Sequence, residues 1–96
     1  MFLKSVFIGF LSFSILHADT LKECKNETDK MSGCAEREYY KNGNLEFETP
    51  YKNDKREGIA KGYYESGNLW SEIPYKNGKY DGIVKWYNEN GNLRSE

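Results

Sequence analysis

The chain has 96 residues and a net charge of −1; charged residues make up 30% of it and aromatic residues 16%. A chain of this length forms a single domain with a small core. Because acidic and basic residues are interspersed, the sequence has no basic stripe that would bind nucleic acid.

The first predicted element, residues 1–18, is a cleavable signal peptide. Lys4 supplies the positive start, an apolar stretch of twelve residues runs from 5 to 16, and Ala18 provides a small residue at the cleavage site. Twelve residues are too few for a transmembrane helix, which needs about 20, so no stable membrane anchor is expected. We therefore expect export, to the periplasm or as a secreted protein.

Residues 19–36 form a cysteine-containing segment. Nine residues separate Cys24 from Cys34, and in an oxidising compartment the simplest prediction is one disulfide, worth roughly 2 to 3 kcal/mol. A redox role is the alternative, but the spacing is not Cys-x-x-Cys. Cleavage would remove His17, the only histidine. Two cysteines alone could not hold zinc, so no metal or other cofactor is expected.

Residues 37–96 form a repeat domain with a period of 24 residues. Aligning residues 49–72 on 73–96 gives 15 identical positions of 24, so the domain contains about two and a half copies of one unit. Each unit carries two turn signals that contain glycine. The first turn holds Gly43, Gly67 or Gly91, and the second ends at Gly58 or Gly82.

Between the turns lie short runs rich in Tyr, Trp, Ile, Leu and Phe, the composition of β-strands. They predict six strands, near residues 37–41, 45–52, 58–65, 69–76, 82–88 and 92–96. Short loops make neighbouring strands antiparallel, so the predicted fold is all-β, an elongated single sheet in which repeated hairpins form a meander. Pro50 and Pro74 lack a ladder donor and are expected at a bulge or strand break.

The register of these hairpins has two solutions. A two-residue loop at Ser66-Gly67 would form opposite-charge pairs across the strands: Lys61 with Glu72, Arg37 with Glu48, and Lys85 with Glu96. A three-residue loop with Gly67 in a left-handed bulge would instead build one apolar face from Ile59, Tyr63, Leu69, Ile73 and Tyr75. Each solution has its own advantage, and both stay open.

The pattern Tyr-Tyr-x-x-Gly-Asn-Leu, followed by Pro-Tyr-Lys-Asn-Gly-Lys-x-Asp-Gly, resembles the bacterial variant of the MORN repeat over residues 37–96. Proteins of this kind are often described as antitoxin-like repeat proteins. The resemblance implies repeated hairpins in an elongated sheet that serves as a binding or scaffolding surface, with protein or phospholipid partners in eukaryotic relatives and no catalytic residue. The aromatic hairpin at residues 86–93 is also similar to bacterial cell-wall-binding repeats, but their shorter period places this likeness second.

Catalysis is not expected of the mature chain. It would have no histidine, its cysteines are expected to be joined, and the recurring carboxylates of Glu48, Glu72 and Glu96 fit cross-strand partners better than a general acid and base. A glycosidase pair such as Glu65 and Glu72 is the enzymatic alternative.

The aromatic residues give the functional prediction, because a thin sheet of this size cannot bury them all. About half are expected to pack across strands, and the rest to form an exposed contact surface. The candidate binding surface consists of Tyr40, Tyr64, Trp70, Trp86 and Tyr87. We expect a non-catalytic binding module with a protein or envelope partner. The alternatives are an antitoxin-like or immunity protein, and a binder of cell-wall glycan or lipid headgroups.

The third unit is expected to end the sheet with a short strand near residues 92–96 and an unpaired edge. Leu93 and Trp86 would then have few neighbours. Either residues 92–96 close the sheet as a short, charged edge strand, with Arg94 and Glu96 discouraging further pairing, or the chain is a truncated member of a longer family. We favour truncation, or pairing with another chain at this edge.

We predict that the exported protein begins at Asp19 and contains the Cys24–Cys34 disulfide. Its intact mass should equal that of residues 19–96 less two hydrogens, and thiol titration under denaturing conditions should find no free thiol. A retained leader or two free thiols would contradict this prediction.

Overall fold

The computed structural model of the protein describes residues 20–96; the predicted signal peptide lies outside the described residues. This part of the chain contains one helix and eight strands: α1 Glu27–Ser32, β1 Cys34–Tyr39, β2 Leu45–Lys52, β3 Lys55–Arg56, β4 Gly58–Tyr63, β5 Leu69–Lys76, β6 Lys79–Tyr80, β7 Lys85–Tyr87 and β8 Leu93–Ser95. The strands form a single antiparallel sheet in the order β1-β2-β4-β5-β7-β8, with β3 paired to β2 and β6 to β5. The predicted all-β meander is confirmed.

The segment before β1 covers the outer edge of that strand. The Ala35 amide donates to the Lys22 carbonyl at 2.8 Å, and the Cys24 amide donates to the Ala35 carbonyl at 3.0 Å. The predicted disulfide between Cys24 and Cys34 is present, with 5.0 Å between the Cα atoms, and Cys34 and Ala35 are almost completely buried. An edge that would otherwise offer free backbone groups to another strand is thereby paired.

The α1 helix, which the sequence reasoning missed, continues this cover. Asn26 caps its start by accepting a hydrogen bond from the Asp29 amide at 2.9 Å, and Gly33 ends it with a φ of +122°. The helix carbonyls of Lys30 and Met31 accept hydrogen bonds from the hairpin that follows β2. No helix within residues 20–96 is long and apolar enough to cross a membrane.

The second turn of each unit is tighter than predicted. Asn53 and Asp54 have φ values of 54° and 64°, and the corresponding Asn77 and Gly78 have 52° and 84°, as a two-residue type I′ turn requires. The residues after each turn therefore pair back as the short strands β3 and β6. The prediction of six strands was wrong because it missed β3 and β6. Both lie within segments, 53–58 and 77–82, that were predicted to be turns throughout.

Gly58 and Gly82 lie at the kink behind these hairpins, after β3 and β6. Their φ values are 112° and 111°, which favour glycine. A Cβ atom on Gly58 would approach the Pro50 ring to 3.2 Å, and one on Gly82 would approach the Pro74 ring to 3.4 Å. Each proline therefore lies beside an irregular point in the neighbouring strand, as expected for a residue without a ladder donor.

The first turn of each unit combines the two predicted registers. The Gly67 amide donates to the Tyr64 carbonyl at 2.9 Å, and Gly67 has a φ of +100°, which matches the three-residue loop with a glycine bulge. Beyond Tyr63 and Leu69 the register shifts by one, so that Trp70 is the extra residue and Lys61 faces Glu72. The same shift makes Glu46 the extra residue in β2 and Arg94 in β8.

This shift aligns a row of alternating charges across the sheet. Glu48 of β2 faces Arg37 on one side and Lys61 on the other, and Glu72 of β5 faces Lys61 and Lys85. Arg37 and Glu48 form an ion pair at 2.8 Å. The predicted pairing of Lys85 with Glu96 is not part of the ladder, because β8 ends at Ser95.

Successive units are joined by side-chain hydrogen bonds that repeat with the sequence. The Tyr40 hydroxyl donates to the Tyr63 carbonyl at 2.6 Å, and the Tyr64 hydroxyl donates to the Tyr87 carbonyl at 2.7 Å. Asn44 and Asn68 donate in the same way to the carbonyls of the next turn, those of Glu65 and Glu89. Each unit thus fixes the first turn of the following one.

We predict that Tyr40→Phe and Tyr64→Phe each lower the free energy of unfolding by about 1 kcal/mol, because each removes one hydrogen bond to a backbone carbonyl between units. Denaturant unfolding followed by circular dichroism measures this. The matched control is Tyr80→Phe, since Tyr80 is 72% exposed. An equal loss in the control would show that the hydroxyl bonds between units are not the cause.

Candidate ligand-binding groove

The face of the sheet opposite the charged row carries a groove with a volume of about 270 Å³, slightly below the usual range for pockets that hold small molecules, about 300 to 1,000 Å³. Its position follows from strand alternation, which sends neighbouring residues of β4 to opposite faces. The groove is lined by Phe47, Thr49, Arg56, Ala60, Lys61, Gly62, Trp70, Ser71, Ile73, Tyr75 and Trp86.

The floor of the groove is formed by the small residues of β4 and β5. A Cβ atom on Gly62 would lie 2.9 Å from both Cε3 of Trp70 and Oγ of Ser71, and 3.4 Å from Phe47. Gly62 is buried and Ser71 is only 3% exposed. The missing side chain at Gly62 therefore lets Trp70 lie directly over the backbone of β4.

Three aromatic rings form one end of the groove. The Trp70 ring lies 6.4 Å from that of Phe47 and 5.3 Å from that of Trp86, at interplanar angles of 60° and 59°. Such tilted contacts are favourable for aromatic pairs. Trp70 is the extra residue of the bulge, so Trp70 and Ser71 of β5 both lie opposite Gly62 of β4. The bulge therefore brings the Trp70 ring onto this face.

Arg56 and Tyr75 form the other end. The Arg56 guanidinium lies 5.2 Å from the centre of the Tyr75 ring and donates to its hydroxyl at 3.1 Å. Hydrogen bonding to the Tyr51 side chain raises the pKa of Arg56 above its ordinary value. A guanidinium has five donors, so an exposed arginine held in this way retains donors for an anionic group of a ligand.

The groove is built mainly from positions at which the repeats differ. Nine positions differ between residues 49–72 and 73–96, and five of the first set line the groove: Thr49, Arg56, Ala60, Gly62 and Trp70. Where the second unit has Gly62, the third has Trp86, which lines the groove from its far side. A groove built from identical positions would recur in every unit. Because this groove is built from positions that differ, it occurs at the middle of the array.

The opposite face has a second hollow of about 270 Å³, between the N-terminal cover and β4. It is lined mostly by residues that recur in the repeat, such as Glu48, Pro50 and Lys61. On this face burial raises the pKa of Tyr63, with Glu48 and Glu72 adding to the effect, and the hydrogen bond to Glu72 raises the pKa of Tyr87. These contacts belong to the repeated framework.

The structure divides the five residues of the predicted binding surface. Trp70 and Trp86 lie together in the groove. Tyr40 and Tyr64 are half-buried and bonded to backbone carbonyls, and Tyr87 is on the charged face, bonded to Glu72 at 2.6 Å. The glycines of the first turns, Gly43, Gly67 and Gly91, all have positive φ and lie away from the groove.

Several groove residues were missed by the sequence reasoning, notably Phe47, Arg56, Gly62 and Tyr75. Composition indicates only that the aromatic residues exceed what the sheet can bury, whereas the positions that depart from the repeat indicate where the groove lies. Among residues 20–96 no group of three His, Cys, Asp or Glu side chains is placed to hold a metal ion.

The profile of the MORN repeat variant family matches three stretches of the chain, residues 35–53, 56–77 and 80–96. These stretches cover more than half of the sequence, and the chain belongs to this family of repeat proteins. MORN repeats are generally non-catalytic interaction modules. No curated protein and no solved structure shows significant similarity to the chain.

We predict that Gly62→Ala lowers the free energy of unfolding by about 1 to 3 kcal/mol, because the added methyl group overpacks the floor against Trp70 and Ser71. It should also change the tryptophan emission, since Trp70 must move. The control is Gly43→Ala, whose methyl meets nothing within 4 Å but whose φ of +93° is strained for alanine. That variant should lose stability with no change in emission; unchanged emission in Gly62→Ala would contradict the described floor.

Proposed function

We propose that this protein is an exported, non-catalytic binding module that captures a protein partner in the envelope or outside the cell through the groove around Trp70 and Trp86. The family supports the general part of this proposal, because MORN repeats are generally interaction modules. The groove supports the choice of binding surface.

The single observation that carries the proposal is the coincidence of the groove with the positions at which the repeats differ. The framework positions recur because each unit needs the same turns and the same bonds to its neighbour. Phe47, Trp70 and Trp86 stand at positions that do not recur, so the repeated framework does not account for their meeting at one place. Partly exposed aromatic clusters beside a cation are typical of contact sites between proteins.

Two features support export. Residues 1–18 have the pattern of a signal peptide, and disulfides such as Cys24–Cys34 persist in oxidising compartments. Export would separate the protein from a cytoplasmic toxin, so a role outside the cytoplasm is favoured over an antitoxin role.

The test is capture of partners from envelope fractions by the immobilised protein, with cell-wall glycan and phospholipid vesicles assayed in parallel. Phe47→Ser removes an aromatic side chain that is 38% exposed in the groove, and Ile59→Ser removes an apolar side chain that is 48% exposed on the opposite face. We expect Phe47→Ser to weaken capture about tenfold, as for a central contact residue, and Ile59→Ser to leave it unchanged.

The reverse pattern, loss with Ile59→Ser and none with Phe47→Ser, would place binding on the charged face and refute the groove. Specific capture of a cytoplasmic toxin would favour the antitoxin-like function. Specific retention on glycan or vesicles, lost in Phe47→Ser, would keep the groove and replace the protein partner with that ligand.

A further inference from the structure

The lining residues of the groove extend along β4. Gly62 and Ala60 form its floor, and Arg56 lies beyond them, in the short strand that precedes β4. Side chains of β2 border it on one side and those of β5 on the other. The strand from Gly58 to Gly62 rises about 13 Å, so the groove is long enough for about four residues of an extended chain.

The two ends of the groove differ in chemistry. The aromatic end, Phe47, Trp70 and Trp86, offers apolar surface, and the far end offers the Arg56 guanidinium. Arg56 is the cation of the groove, and no carboxylate is among the lining residues, although the protein as a whole has a net charge of −1. Lys61 also borders the groove, but it belongs to the charged row of the opposite face. A ligand with an anionic group at one end is therefore complementary to the groove.

We propose that the groove binds an extended peptide segment that places a bulky apolar side chain against Trp70 and Trp86 and a carboxylate, three or four residues away, against Arg56. This inference rests on the proposed function and specifies its ligand. Thr49 also lines the groove, and its hydroxyl can bond to a backbone group of the peptide.

The ring geometry favours a peptide over a saccharide. Sugars stack on flat, open ring faces, whereas Trp70 lies across Gly62 and is tilted by about 60° to both of its aromatic neighbours. The resulting surface is ridged, and it accepts a side chain between rings more readily than a planar stack. Similar aromatic-lined grooves recognise extended peptides in other folds.

The experiment uses a library of acetylated and amidated hexapeptides. One position is fixed as Leu or Phe, and a second, three or four residues away in either direction, is fixed as Glu or Gln. Binding to the purified protein is followed by tryptophan emission, since both tryptophans of the chain line the groove. We expect the Glu pools to bind about tenfold more tightly than the matched Gln pools, the effect of one charge-assisted contact.

Two variants isolate the role of the cation. Arg56→Gln should abolish the preference for Glu over Gln, and Arg56→Lys should restore part of it. Lys55→Gln is the matched control, because it removes the same charge from the neighbouring residue, which does not line the groove, and it should keep the full preference.

Equal binding of the Glu and Gln pools, or loss of the preference in Lys55→Gln, would overturn this inference. If no peptide pool binds but glycan or vesicles change the tryptophan emission, the peptide ligand is wrong and the groove as a binding site stands. If neither those probes nor a captured envelope protein changes the emission, both the peptide inference and the proposed function fail.

Discussion

The one-residue bulge in β2, β5 and β8, after the first turn of each unit, is the constraint on which the rest of the sheet depends. After the glycine turn, the strands leave in a register that would separate the charged residues. The extra residue, Trp70 in the central hairpin, corrects the register so that Lys61 faces Glu72. Because a shift of one residue exchanges the two faces of a strand, the same bulge also places Trp70 over Gly62.

The repeat separates two tasks that a single sheet must perform. Recurring residues hold the array together: the tyrosine hydroxyls of the first two units and the asparagine amides bond to carbonyls of the next unit, and the row of alternating charges crosses five strands. Since these bonds involve the turns and one face, the residues of the other face are free to differ. The groove is formed from those differences.

The N-terminal segment completes the architecture at one end. Its backbone bonds to Ala35 and its disulfide to Cys34 pair the outer edge of β1, where a repeat array otherwise offers free hydrogen-bonding groups. The charged face and the covered edge thus contribute to solubility and stability, and the groove remains as the surface with a concave shape, aromatic rings and a defined cation. A binding role requires no catalytic group beyond these contacts.

The sequence by itself determined the period, the antiparallel meander and the disulfide, because glycine spacing, strand composition and a lone pair of cysteines are local signals. The sequence also contained the two signals that set the register, namely the opposite-charge pairs and the glycine bulge, but it did not show that both operate in the same hairpin. Only the tertiary structure decided that, since a bulge at Trp70 is visible only when both strands are in place. For the same reason Trp70 and Trp86 were found from composition, whereas Phe47, Gly62 and Arg56 were not: they become neighbours through pairing between β2, β4 and β5, which no local pattern encodes.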